Sequence, residues 1–137
     1  MRKSASIIFG ASAAVMLLGT LIATSASAQV AGAVPNKKVC DDKKNPPKDA
    51  VTQGGCVVLD RKKGNCMACH AIAGTTHGNI APPLVQMKQR FPDKAKLRTQ
   101  IGDAHKLNPR SVMPPFGPHE ILTQDEIDKV VEFVLTL

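Results

Sequence analysis

The sequence predicts a small all-α domain, and three observations carry that prediction. Apolar residues recur at helical spacing near both ends of residues 49–137, and no βαβ pattern is visible between them. The intervening segments are broken by proline and glycine, as connections between short helices are. The chain has four Phe and no Trp or Tyr, so it has little bulk for a core of its own. A large group other than side chains is expected to fill the interior.

Residues 1–28 read as a secretory signal peptide. Arg2 and Lys3 give a charged start, Ile7 to Ala23 is apolar and small, and Ala26-Ser27-Ala28 is a cleavage site. An uncleaved membrane anchor fits less well, because Ser, Gly and Thr dilute the apolar run. Export to the periplasm and a single mature domain beginning at Gln29 are therefore expected. The formal charge is +7. It stays positive without Arg2 and Lys3, which favours acidic protein partners. Nucleic acid is not expected, since the chain is exported and has no Tyr or Trp to stack on bases.

Residues 29–48 are polar and Lys-rich with Pro46-Pro47, an extended leader. From about Pro47 to Asp60 a helix is expected, with Ala50, Val51, Gly54, Gly55, Val58 and Leu59 on one face. Glycine inside a helix costs about 1 kcal/mol. Close approach by another element would explain two of them; a broken or shorter helix is the alternative. Arg61-Lys62-Lys63-Gly64 ends the segment. Leu84–Phe91 and Asp93–His105 read as two helices separated by Pro92, with Leu84, Val85, Met87 and Phe91 on one apolar face and Leu97 and Ile101 on another. Lys88, Arg90, Lys94, Lys96 and Arg98 load the outer side, as a solvated face or as a docking surface. Residues 106–122 form a loop stiffened by prolines. The last helix opens with Thr123-Gln124-Asp125-Glu126, the capping-box pattern. Ile127, Val130, Val131 and Val134 follow the helical period, and Phe133 is placed to pack over Gly54 or Gly55, so that the first and last helices cross.

The chemistry lies in Cys66-Met67-Ala68-Cys69-His70. In an exported protein this spacing reads as an attachment site for c-type haem. Two thiols one helical turn apart reach the same edge of a porphyrin, and the histidine that follows turns its ring under the iron. A zinc site would want a second close Cys pair, whereas Cys40 and Cys56 stand far apart. Left over in an oxidising compartment, those two are read most simply as a disulfide; a free Cys56, or a Cys40 bonded to a partner chain, remain open. Pro82 and Pro83 are both candidates to offer a free carbonyl to Nδ1 of His70, leaving Nε2 for iron.

Candidates for the opposite axial position are Met67, Met87, Met113, His77, His105 and His119. Met67 lies on the wrong side, and Met87 sits on an apolar face where a core role is commoner. Met113, in the stiff proline loop, is the favoured ligand, and His105 and His119 follow. A thioether opposite histidine raises the reduction potential and closes the iron to substrate, which makes the site a one-electron carrier rather than a catalyst.

In this order of elements the sequence resembles the class I cytochromes c. More narrowly it is similar to the SoxX family, the monohaem subunits of the SoxAX complexes of bacterial sulfur oxidation. The matching stretches are Asp60 to His70, Gly78 to Leu84, Asn108-Pro109, Met113-Pro114-Pro115-Phe116-Gly117 and Ile121-Leu122-Thr123 with Glu126-Ile127. The resemblance implies one haem c bound covalently through Cys66 and Cys69, with His70 and Met113 as axial ligands. It also implies a periplasmic heterodimer with a SoxA-type cytochrome subunit. That complex couples thiosulfate oxidatively to a cysteine of a SoxYZ-type carrier protein, and this chain would pass the electrons to a further cytochrome. A free soluble cytochrome c shuttling between respiratory complexes is the alternative, and a haem sensor with an open distal site is a third class.

Overall fold

The computed structural model describes residues 32–137; the signal peptide and its cleavage site lie outside them. Among the described residues there are five α-helices: α1 (Lys37–Asp41), α2 (Ala50–Leu59), α3 (Met87–Arg90), α4 (Lys94–Gly102) and α5 (Gln124–Val134). Single 3-10 turns at Cys66–Ala68 and Ala104–Lys106 complete the regular structure. Among the described residues the only strand-like pairing is one parallel bridge between His70 and Ala81, and no helix is long and apolar enough to cross a membrane.

The crossing of α2 and α5 organises the domain. Gly54 and Gly55 are buried at the contact. The main chain of Lys129 and Val130 fills the space in front of Gly54, while Phe133, fully buried, lies against Gly55 together with Pro35. At Gly54 the α5 main chain, and at Gly55 Pro35 with Phe133, stand where a methyl group would be. Val58 from α2 and Ile127, Val130 and Val131 from α5 form the centre of the core, joined by Leu97 and Ile101 of α4.

Local chemistry sets the helix ends. Asp49 caps α2 by accepting the Thr52 N–H at 2.7 Å, so the helix begins after Pro47 rather than at it. Asp93 accepts from Ala95 and Lys96 at the start of α4. Thr123 and Glu126 form the capping box of α5, each side chain taking the other's main-chain N–H.

Three segments differ from the sequence reading. Residues 37–41 form a helix within the leader, capped by Asn36 and tied to α2 by a Cys40–Cys56 disulfide with Cα atoms 5.4 Å apart. Five residues nucleate no helix on their own, and here the cross-link and the seat of Pro35 on Gly55 hold it. Leu84 and Val85 fall outside α3, because Gln86 takes a left-handed backbone (φ +52°) and Leu84 N–H turns instead to the Ala71 carbonyl at 2.9 Å. Met87 is buried while Val85 is 44% exposed, so the expected apolar face is divided. The helix expected to run to His105 ends at Gly102, where Asp103 extends and its side chain caps the next turn.

Candidate haem site

Gly64 and Asn65 aim the Cys-x-x-Cys-His segment. Gly64 is packed so closely that a Cβ would stand 2.6 Å from the Val57 carbonyl oxygen and 3.3 Å from Cys66 Sγ. Asn65 then turns left-handed (φ +46°), a conformation that a short polar side chain tolerates. Cys66 to Ala68 form one 3-10 turn, closed by Cys69 N–H to the Cys66 carbonyl at 3.2 Å, and His70 N–H reaches the same carbonyl at 2.9 Å.

The following loop is laid back against this turn by three main-chain bonds. Gly78 donates to Met67, Ala81 to Cys69 and Leu84 to Ala71, at 2.8–3.1 Å. Gly78 has no room for a Cβ, which would meet the Ala68 carbonyl. This stitching brings Pro82 to His70: the Pro82 carbonyl lies 2.7 Å from Nδ1. The Pro83 carbonyl is turned elsewhere and accepts from Arg90 Nη1, also at 2.7 Å. Of the two prolines, Pro82 therefore fixes the histidine tautomer and leaves Nε2 free.

Two adjoining cavities, of about 230 and 560 Å³, share six wall residues: Cys66, His70, Pro82, Gln100, Met113 and Phe116. Cys69 lines the larger, and the smaller runs into the apolar core beside Leu97, Leu122 and Val130. Cys66 and Cys69 are both free thiols. Burial pushes the Cys66 thiol up to about 12. Redox-active dithiols lower a cysteine pKa to generate thiolate, and burial moves Cys66 the opposite way. A zinc site lacks its ligands: among the described residues no three His, Cys, Asp or Glu side chains cluster.

Of the distal candidates, Met113 lines both cavities and Met87 only the smaller, with its sulfur taking Arg90 Nη1 at 3.4 Å. Met67 packs on the core. His77 bonds its neighbour's carbonyl, His105 lies near Asp103, and neither of these nor His119 borders either of the two cavities.

Two residues at the site escaped the sequence reading. Gln100 directs Nε2 at Met113 Sδ, 3.9 Å away. Its position three residues beyond the core residue Leu97 was the available signal. Arg90, expected on the outer face, turns to the smaller cavity and binds the Pro83 and Val85 carbonyls. Loop carbonyls without main-chain partners draw the guanidinium fork.

A largely apolar cavity bordered by Cys66, Cys69, His70 with Nδ1 engaged by Pro82, and the Met113 thioether fits a covalently held haem. The comparisons agree. No curated protein matches the chain. The family model described as cytochrome C oxidase, cbb3-type, subunit III, matches residues 60–134, more than half of the sequence. The chain belongs to this family of c-type cytochromes, whose domain binds haem and transfers electrons.

Proposed function

We propose that this protein is a periplasmic one-electron carrier with a single haem c, and that it serves as the electron-transfer subunit of a SoxAX-type complex. The observation that carries the first half is the joint presence of Cys66, His70 and Met113 on the wall of one cavity, with His70 Nδ1 engaged by Pro82. Cys66 and Cys69 would hold the haem through thioethers, and His70 Nε2 and the Met113 thioether would ligate its iron. The bound group supplies reversible one-electron oxidation. The chain's own residues keep it closed: Pro82 orients His70, Gln100 holds the Met113 sulfur, and Phe116, 5% exposed, shields the interior from water.

The second half is supported by the sequence stretches shared with SoxX, above all Arg61 to Cys66 and Met113 to Gly117. In this reading the chain carries out no sulfur chemistry itself. A SoxA-type partner subunit joins thiosulfate to the cysteine of a SoxYZ-type carrier, and this chain accepts the electrons released. The description of the matched family names an oxidase subunit. A partner search separates the two assignments.

Two measurements test the proposal. Mature protein isolated from its native periplasm should carry a second, larger cytochrome identifiable by mass spectrometry; recovery with oxidase subunits, or as an active monomer, overturns the SoxAX assignment. Ferric protein should show the far-red thioether-to-iron band, absent from Met113→Ala. An unchanged spectrum in that variant, or rapid binding of carbon monoxide to the native ferrous protein, overturns axial ligation by Met113.

A further inference from the structure

The sequence carries two basic faces, and the structure separates them. On α4 the positive charges are largely matched: Lys94 pairs with Glu132, and Arg98 with Asp128 and Gln124. At the mouth of the larger cavity they are not. Arg61, Lys62, Lys63 and Arg110 border it, and no Asp or Glu does. Lys63 is held by Glu126, but Arg61, Lys62 and Arg110 are exposed and take part in none of the ion pairs among the described residues.

The most exposed large apolar side chains stand at the same mouth. Val112 is 87% exposed and Ile80 72%, and both border the cavity. Ile80 comes from the loop after His70, and Val112 immediately precedes Met113. Of the other apolar residues near the haem segment, Phe116 is buried and Met67 is half-buried against the core.

Resting on the electron-carrier reading, we propose that this mouth docks an acidic redox protein, with Ile80 and Val112 as the apolar centre and Arg61, Lys62 and Arg110 as the ring that meets its carboxylates. An apolar centre expels water and lets two redox centres approach, while exposed rim charges steer the encounter and set its orientation. A small free anion matches the surface less well, because it would leave Ile80 and Val112 uncovered.

The test follows oxidation of the ferrous holoprotein by stopped flow. One oxidant is plastocyanin, an acidic copper protein, and the other is hexacyanoferrate(III), a small anion. One electron passes to copper(II), giving copper(I), or to iron(III) of the complex, giving iron(II). Arg61→Gln with Lys62→Gln and Arg110→Gln should lower the plastocyanin rate constant about tenfold at low salt and flatten its dependence on ionic strength. Ile80→Ser with Val112→Ser should slow plastocyanin more than hexacyanoferrate(III), because only the protein needs an apolar seat. Lys94→Gln with Lys96→Gln on α4 should change the plastocyanin rate by less than about twofold. Three results overturn the docking face: a native rate with plastocyanin that ignores salt, an α4 variant as slow as the rim variant, or an apolar variant that slows both oxidants equally. Rapid carbon monoxide binding by the native ferrous protein would instead strike the electron-carrier reading, whatever the variants do.

Discussion

Gly54→Ala sets two effects of opposite sign against each other. Alanine in the middle of α2 should gain about 1 kcal/mol of helix propensity. Against this, the new Cβ would fall within the Lys129 carbonyl group and 2.9 Å from Val130 N, where ordinary contact begins at 3.4 Å. The obstacle is main chain, which no rotamer change relieves. α5 has to retreat by roughly 1 Å, and that loosens Val58, Val130 and Phe133, all at 2% exposure or less. Overpacking of this kind costs about 1–3 kcal/mol, and the strained carbonyl contact puts the cost at the upper end, so a net loss of about 1–2 kcal/mol is expected. For a domain of this size that is a fall in Tm of roughly 5–15 °C. Gly102→Ala is the internal control. Its Cβ would meet only Ile127 side-chain atoms at 3.6–3.8 Å, so it should raise Tm by a few degrees, in line with a gain of about 0.4–1 kcal/mol. Thermal unfolding of both holoprotein variants, followed by circular dichroism at 222 nm, decides the matter. A Gly54→Ala protein as stable as the parent would refute the close crossing of α2 and α5.

The remaining predictions concern the ties between elements. Burial alone would raise the Glu126 carboxyl, but Lys63 and the Thr123 N–H together hold it below its ordinary 4.5. A depressed carboxylate contributes stability above its unfolded value, and that contribution is lost as the pH falls through the folded value. Glu126→Gln should therefore reduce stability near neutrality and flatten the acid limb of a stability–pH profile below about 4.5; a parallel acid limb counts against the tie. Cys40→Ser with Cys56→Ser opens a loop of sequence separation 16 and should cost about 3 kcal/mol in urea unfolding, with the haem spectrum retained. Gly78→Ala puts a Cβ into the Ala68 carbonyl and should lower the yield of covalently loaded protein, measured by in-gel haem staining, more than Gly74→Ala, whose surroundings are open although its φ is +75°.

What was legible in the sequence was local or periodic. The capping box of α5 is four adjacent residues, and its spacing alone specifies the bonds. The crossing of α2 and α5 showed in Gly54 and Gly55, because a costly residue in a helix marks a close neighbour. Which glycine Phe133 would meet was not legible: Gly55 takes it, and the Lys129–Val130 main chain takes Gly54. α1 stayed hidden because it depends on a bond to Cys56 rather than on its own five residues. At the site, Cys66, Cys69, His70, Pro82 and Met113 come together around adjoining cavities, while Pro83 turns to Arg90. The sequence offers two identical carbonyl acceptors there, and only the register of the loop, set by the bonds at Gly78, Ala81 and Leu84, selects between them. The pairing of α4 cations with α5 anions was likewise invisible, since it spans up to 38 positions of sequence.

The Lys63–Glu126 pair joins two things that are usually separate in a small helical domain. Glu126 closes the first turn of α5, and Lys63 stands on the lip of the larger cavity. Fraying of the helix end and displacement of that lip therefore belong to one cooperative opening unit. Amide protons of the first turn of α5 and of the 61–65 segment should exchange with matched protection, and binding at the lip would be felt as slower exchange at a helix end on another element.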